Sequence, residues 1–320
     1  MTDTNESAVN AVLLIPLDIT EHTIVAGTSV PVVDSAVGEV AWDDTTDWII
    51  DDEVNHAGWI WEAQKDNTDV APGTDATTWL RVRPSNRMAA FDDRLDTATR
   101  AEGELKFVLR PGFFSGLGLW GLVGENLKVE IYDQPDGEVV DGFEMELWEQ
   151  AAGLYELLFM PLKRRTQYYM QNIPLYPDPE VHISITSAND AMCEVALISI
   201  GHWDTLIGAG TWGGTEYDAE AELKSYSYLR RNDDGNVTRE RRGAANNVIC
   251  QVIVPADEGN HAMNLLHDVQ GRPVAFIASG LPRYEYLNGF GDVSGSVAAA
   301  GPNHARVRLR IDGAVQEARN

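Results

Sequence analysis

Lysine is scarce in this 320-residue chain. Only Lys65, Lys106, Lys128, Lys163 and Lys224 occur, beside 19 Arg, and the 24 basic residues face 50 acidic ones for a formal net charge of −26. A field of that sign repels phosphate backbones and anionic lipid headgroups, which argues against a nucleic-acid binder and favours neutral partners. Cysteine is nearly absent. Cys193 and Cys250 are too few for a disulfide framework and lie in no C-x-x-C spacing, so both read as buried thiols. Long hydrophobic runs are missing too. The stretch AVLLIPL at 11–17 is far shorter than the roughly 20 apolar residues of a membrane span, and the start MTDTNES carries no basic residue of a secretory leader. The expectation is a chain made in the cytoplasm, not conventionally exported, with no membrane insertion.

Familiar catalytic signatures are missing as well. The seven His, at 22, 56, 182, 202, 261, 267 and 304, show no zinc spacing. No G-x-S-x-G elbow and no glycine-rich phosphate loop occurs, so no metal and no cofactor is expected. Asp233, Asp234 and Asn236 have calcium-ligand chemistry, but a tight Asp-Gly hairpin accounts for them without an ion.

What the chain does have is apolar content, 44% hydrophobic residues with 9 Trp, enough for real cores and too long for one. The pattern is that of strands. AVLLIPLDI is a short apolar strand, since Pro16 would break a helix, and TIVAGTSVPVV at 23–33 reads the same way. ELKFVLR, NLKVEIYD and FEMELWE alternate with period two, and DQPDGE at 133–138 is a turn by its own chemistry. LYELLFMPL, EVHISITSA and EVALISIG continue the series to Gly201, a run suited to an antiparallel sandwich. Beyond it, two strands around the turn NDDGN and a third strand precede a helix over 257–271, with Met263, Leu265, Leu266 and Val269 before Gly271 and Pro273. PVAFIA and ARVRLRIDG then return to strand. The fold class expected is mainly β: an arm over 1–40, a small aromatic-rich β module over 41–80, an antiparallel, jelly-roll-like β-sandwich over 81–201 and a β-dominated α+β domain over 202–320.

Two resemblances follow from these residues. TWLRVRPSNRMAAFDD at 78–93, then LISIGHWDTLIG at 197–208, the Tyr-Ser of SYSYLRR, the DDGN turn, Arg241 or Arg242, and HDVQGRPVAFIA with Gly289 together resemble tail and baseplate proteins of tailed bacteriophages. Met88 stands where those relatives often carry an aromatic residue. WIIDDEVNHAGWIWEA at 48–63 with Pro72-Gly73 and Trp79 is similar to small chitin-binding-type carbohydrate modules, with Trp48, Asp52, Val54, Gly58, Trp61 and Trp79 in the matching slots and Asp51 in place of a glycine. These likenesses imply a structural protein of the tail tip or baseplate, located in the virion. Its partners would be other tail proteins, copies of itself in an oligomer, and host-surface glycan.

The residues themselves supply candidate sites. Trp59 and Trp61 share one face of a strand and, with Trp48 and Trp79, could stack on sugar C–H faces. The alternative is that they wall the small module's core. Asn86 and Arg87 with Asp92 could orient a ligand, or could pin the loop internally through an Arg–Asp bridge. Arg230, Arg231, Arg239, Arg241 and Arg242 form the basic cluster of an acidic chain, a docking surface for an acidic neighbour or simply a solvated hairpin. The enzymatic rival is a glycan hydrolase using Glu144 and Glu146, with Asp141 nearby. Alternating Glu on a strand whose Phe143, Met145 and Leu147 point inward is, however, the pattern of a solvent-facing sheet face. A purely architectural protein without glycan contact is the third reading.

Overall fold

A computed structural model describes residues 10–148, 153–160, 164–208, 212–231 and 236–316. The fold is mainly β with antiparallel pairing between its named strands, as the alternation requires. The chain divides into two compact units, one of residues 1–17, 115–117 and 199–320, the other of 18–114 and 118–198.

In the first unit the strand Ala11–Pro16 lies between Leu197–Leu206 and Pro273–Ile277 and pairs antiparallel with both. Its residues 11–14 are all buried, so it takes a central place in the sheet of the C-terminal residues. From Pro273–Ile277 the sheet continues through Gly289–Ala299, His304–Gly313 and Ala244–Pro255, and the last of these also pairs with Gly214–Thr215 and Glu220–Ser225. Register follows from the pleat. Val248, Cys250, Val252 and Val254 sit opposite Ile311, Leu309, Val307 and Ala305 on the buried face, while Arg306, Arg308 and Arg310 take the other positions of the strand. The helix Gly259–Asp268 adds Ala262 and Leu265 to this core, with Val269 just beyond it, an apolar stripe at helical spacing that ends before Gly271 at φ 71°. Met263, one of the residues expected in that stripe, is exposed.

The second unit contains a four-stranded sheet in the order Glu104–Leu109, Glu180–Thr186, Asn126–Tyr132, Val139–Glu146. Three apolar rows cross its first three strands: Leu105, Ile185, Leu127; Phe107, Ile183, Val129; Leu109, Val181, Ile131. All nine are buried, the outcome expected when one face of an antiparallel sheet is covered. Cys193 is buried in this unit and Cys250 in the other. Burial raises both thiols, that of Cys250 to about 12.

Two expectations are corrected, and one strand is added. Residues 23–33 form no strand beyond a single bridge of Ile24 to Leu109. Gly27 at φ 96° turns the segment, and the hydroxyls of Thr28 and Ser29 take hydrogen bonds from the N–H groups of Val108 and Lys106 that a regular ladder would not need. LYELLFMPL contains the helix Leu154–Phe159, since Leu and Glu are strong helix formers and this stretch lacks the period-two pattern. Gly289–Ala299 is an eleven-residue strand that its Gly, Ser and Ala content conceals.

Candidate carbohydrate and assembly surfaces

Sheet geometry within the second unit places the aromatic cluster. Glu53–His56, Trp59–Ala63 and Trp79–Pro84 form a three-stranded antiparallel sheet. Its first hairpin turns on Ala57 and Gly58, both at positive φ (52° and 78°), the handedness that matches the strand twist. A bulge on the third strand leaves Val82 without a partner between Arg81, opposite Trp61, and Arg83, opposite Ile60.

Trp48 and Trp79 are 7% and 2% exposed and meet edge to face at 6.5 Å; Val54 and Ala63 complete the buried cluster, with Trp42, Trp61 and Val70 packed on it. Each of the three indole N–H groups named as sugar contacts inside this cluster is already committed. Trp48 Nε1 donates to the Asp43 carbonyl, Trp61 Nε1 to that of His56 and Trp79 Nε1 to that of Val70. These aromatics build the module's core. Trp59 is half-buried, and the Arg81 guanidinium carbon lies 4.2 Å from its ring centroid, covering one ring face. Trp61, on the same face of the strand, packs on the buried cluster.

A turn pattern missed in the sequence supports this core. Asp-x-Thr-Thr occurs at 43–46 and 75–78, each shortly before a buried Trp. Asp43 accepts from the hydroxyls and N–H groups of Thr45 and Thr46, and Asp75 from the hydroxyls of Thr77 and Thr78 and the N–H of Thr77. Bonds from the Thr46 and then the Thr45 hydroxyl lower the Asp43 pKa from 3.8 to about 2, and those from Thr78 and Thr77 hold Asp75 well below the carboxylate range. A lowered folded pKa stabilises above the unfolded value and is lost as pH falls through the folded one. Tryptophan emission is thus expected to stay constant from pH 7 to about 4 and to change between about 4 and 2. Thr46→Val should move that transition to higher pH; an unchanged midpoint refutes the assignment.

Asn86 is buried and fully used. Its Nδ2 donates to Asp34 Oδ2 at 2.7 Å and to the Arg100 carbonyl at 2.9 Å, and its Oδ1 accepts from the Arg100 N–H at 2.9 Å. Its own N–H donates to Glu39, whose other oxygen accepts from Asn55 Nδ2 and from the Asp34 N–H. Arg87 donates to the carbonyls of Val30 and Ile24, and burial pulls its guanidinium below the usual value. Asp92 accepts from the Arg94 N–H and the Thr97 hydroxyl, while burial, opposed by those bonds, pushes its carboxyl up. Internal pinning is what the structure shows, but without the anticipated bridge between Arg87 and Asp92. Carbonyls and N–H groups of loops take that role.

The rival carboxylates lie on an open sheet. Glu144 and Glu146 are exposed opposite Lys128 and Asn126, whereas Asp141 alternates to the face that carries Phe143 and Met145. Glu144 and Glu146 thus follow one another along one face of a single strand. Among the described residues no cluster of His, Cys, Asp or Glu could hold a metal ion, and no helix is long and apolar enough to cross a membrane. Asp233 and Asp234 lie outside the described residues.

The arginine cluster sits on a ribbon of two strands, Tyr228–Arg231 and Val237–Glu240, every residue of which is exposed. Pairing puts Leu229, Arg231, Val237 and Arg239 on one face and Tyr228, Arg230, Thr238 and Glu240 on the other. Arg241 and Arg242 follow, also exposed, with Arg242 ion-paired to Glu240 at 3.0 Å.

No protein-family model, curated protein or solved structure matches this chain.

Proposed function

We propose that the chain is a structural component of a phage tail tip or baseplate that assembles with copies of itself and with other tail proteins, and contributes to host-surface carbohydrate binding. The observation that carries the assembly part is the ribbon of Tyr228–Arg231 and Val237–Glu240. A two-stranded ribbon without a covered face is marginal by itself, yet this one combines exposed Leu229 and Val237 with three arginines on a body of net charge −26. Residues 41–80, with ten acidic residues against Lys65 alone, offer the complementary sign on a second copy. A contact between two different patches is heterologous and closes into rings when its rotation permits, the form a tail component needs. Tyr155, Leu158, Phe159 and Met160 add an exposed apolar segment that assembly would cover.

Sedimentation of the full chain at low salt is expected to show oligomers that dissociate as salt rises. The triple variant Arg230→Glu, Arg231→Glu, Arg239→Glu should remain monomeric. Antibody against the chain should label the tail end of intact particles. A monomer at all salt concentrations, or absence from purified particles, overturns the reading.

A further inference from the structure

The first unit holds a cleft of about 210 Å³ lined by Tyr217, Tyr284, Tyr286, Glu216, Ser279 and Leu287, among others. We infer that this cleft, and not the tryptophan module, binds one neutral pyranose ring. The inference rests on the carbohydrate-contact part of the proposed function and assigns it a site.

The cleft is held open by structure that no ligand has to supply. On one side Gly214–Thr215 pairs with Ala244–Pro255, and the Thr215 hydroxyl donates to the Ala278 carbonyl. The Glu216 N–H donates to the Gln251 carbonyl, which fixes where the carboxylate begins. On the other side Ser279 leads into the short helical segment Pro282–Leu287, with its Oγ accepting from the Leu281 N–H. Leu287 is buried and, with Ala219, gives an apolar floor. Tyr284 packs on the core and meets Tyr286 edge to face at 6.4 Å, bracing a ring that is itself 60% exposed. Tyr217 is 93% exposed and stands at the rim.

Each feature selects for the same chemistry. A pyranose has one apolar C–H face and an edge of hydroxyls. Aromatic rings with polar tips accept the face, and a carboxylate accepts two hydroxyl protons. The Glu216 carboxylate approaches Arg306 Nε only to 3.8 Å, too long for a hydrogen bond, so the contact does not satisfy its acceptor capacity. Glu216 and the net charge of −26 disfavour sialylated, sulfated or phosphorylated rings. The volume is below the roughly 300–1,000 Å³ of sites that enclose a whole drug-sized ligand, which suits one ring or a chain end. Repetition on an assembled particle would amplify a weak single contact.

The test uses the full chain on an array of neutral and acidic saccharides, followed by saturation-transfer NMR on the bound ones. Neutral hexoses or N-acetylhexosamines are expected to bind. Tyr217→Ala and Tyr286→Ala should each weaken binding by up to about tenfold, Tyr286→Phe should retain it, Glu216→Gln should reduce it, and Trp59→Ala should leave it unchanged. The two tyrosines are exposed, so circular dichroism should show both variants folded. Binding that survives in the Tyr217→Ala, Tyr286→Ala double variant but is lost in Trp59→Ala overturns the cleft while sparing the carbohydrate reading. Binding of acidic saccharides alone overturns the neutral-ring assignment. No binding of any saccharide by the unmodified chain overturns both.

Discussion

Asn86→Ala is expected to destabilise the unit of residues 18–114 and 118–198 by about 3–5 kcal/mol, read as a lower urea midpoint with little change in slope. The side chain is buried and spends both amide donors and its acceptor, so truncation leaves an Asp34 carboxylate oxygen and the Arg100 N–H and carbonyl without partners. An orphaned buried group costs about 1–3 kcal/mol, with the buried Asp34 oxygen at the upper end and the part-buried Arg100 groups lower. The network makes the loss cooperative, because Asp34 and Glu39 lie in the same set of bonds, which runs on to Asn55. Asn86→Asp should be at least as damaging at pH 7, since it sets a carboxylate against that of Asp34, and the damage should ease as pH falls and the carboxyl is protonated. A variant within about 0.5 kcal/mol of the parent that had lost saccharide binding would instead mark Asn86 as a ligand contact.

The second large effect is expected from Gly201→Ala. Gly201 pairs with Pro16, and a Cβ built there would lie 1.9 Å from the Ile15 carbonyl oxygen and 2.8 Å from its carbon. The obstacle is backbone, which cannot rotate away as a side chain could. Accommodation requires Ala11–Pro16 to separate from its neighbour and so opens the centre of the sheet. A loss of about 4 kcal/mol or more, or failure to fold, is expected. Gly289→Ala in the same sheet is the control: nothing lies within 4 Å of the added carbon, and the change should stay within about 0.5 kcal/mol. Thermal unfolding of the two variants side by side decides it. Equal melting temperatures would show that the strand of residues 11–16 does not hold the packing described.

Most strands were legible because alternation is a local property. Phe107, Val129 and Ile183 face the core for the same reason that Lys106, Lys128 and Ser184 do not, and the period is visible in each segment alone. The strand Gly289–Ala299 was not legible, since Gly291 and Gly295 are required by close approach of backbone. A Cβ at Gly291 would meet the Asp312 carbonyl oxygen at 2.2 Å, a contact with a residue about twenty positions away. The helix at 154–159 was hidden by an apolar run too short to show its period.

The candidate sites divided along the same line. Sequence could place five tryptophans within 42–79 but could not say which way they point, because an indole that stacks on sugar and one that fills a core have the same pattern along the chain. Burial decided for the core at Trp48 and Trp79, and the partners of Asn86 and Arg87 turned a ligand-like pair into internal pins. The tyrosine cleft was invisible beforehand, since Tyr217 and Tyr286 are far apart in the chain and come to line one cleft only in the folded sheet.

By itself, then, the sequence determined the charge, the β class and the faces of the regular strands, all consequences of composition and of a two-residue repeat. Only the tertiary structure decided that the first strand joins the sheet of the last hundred residues, that Trp48 and Trp79 are core, and that an open cleft stands elsewhere. Those outcomes depend on contacts between distant segments, whose energies no local pattern encodes.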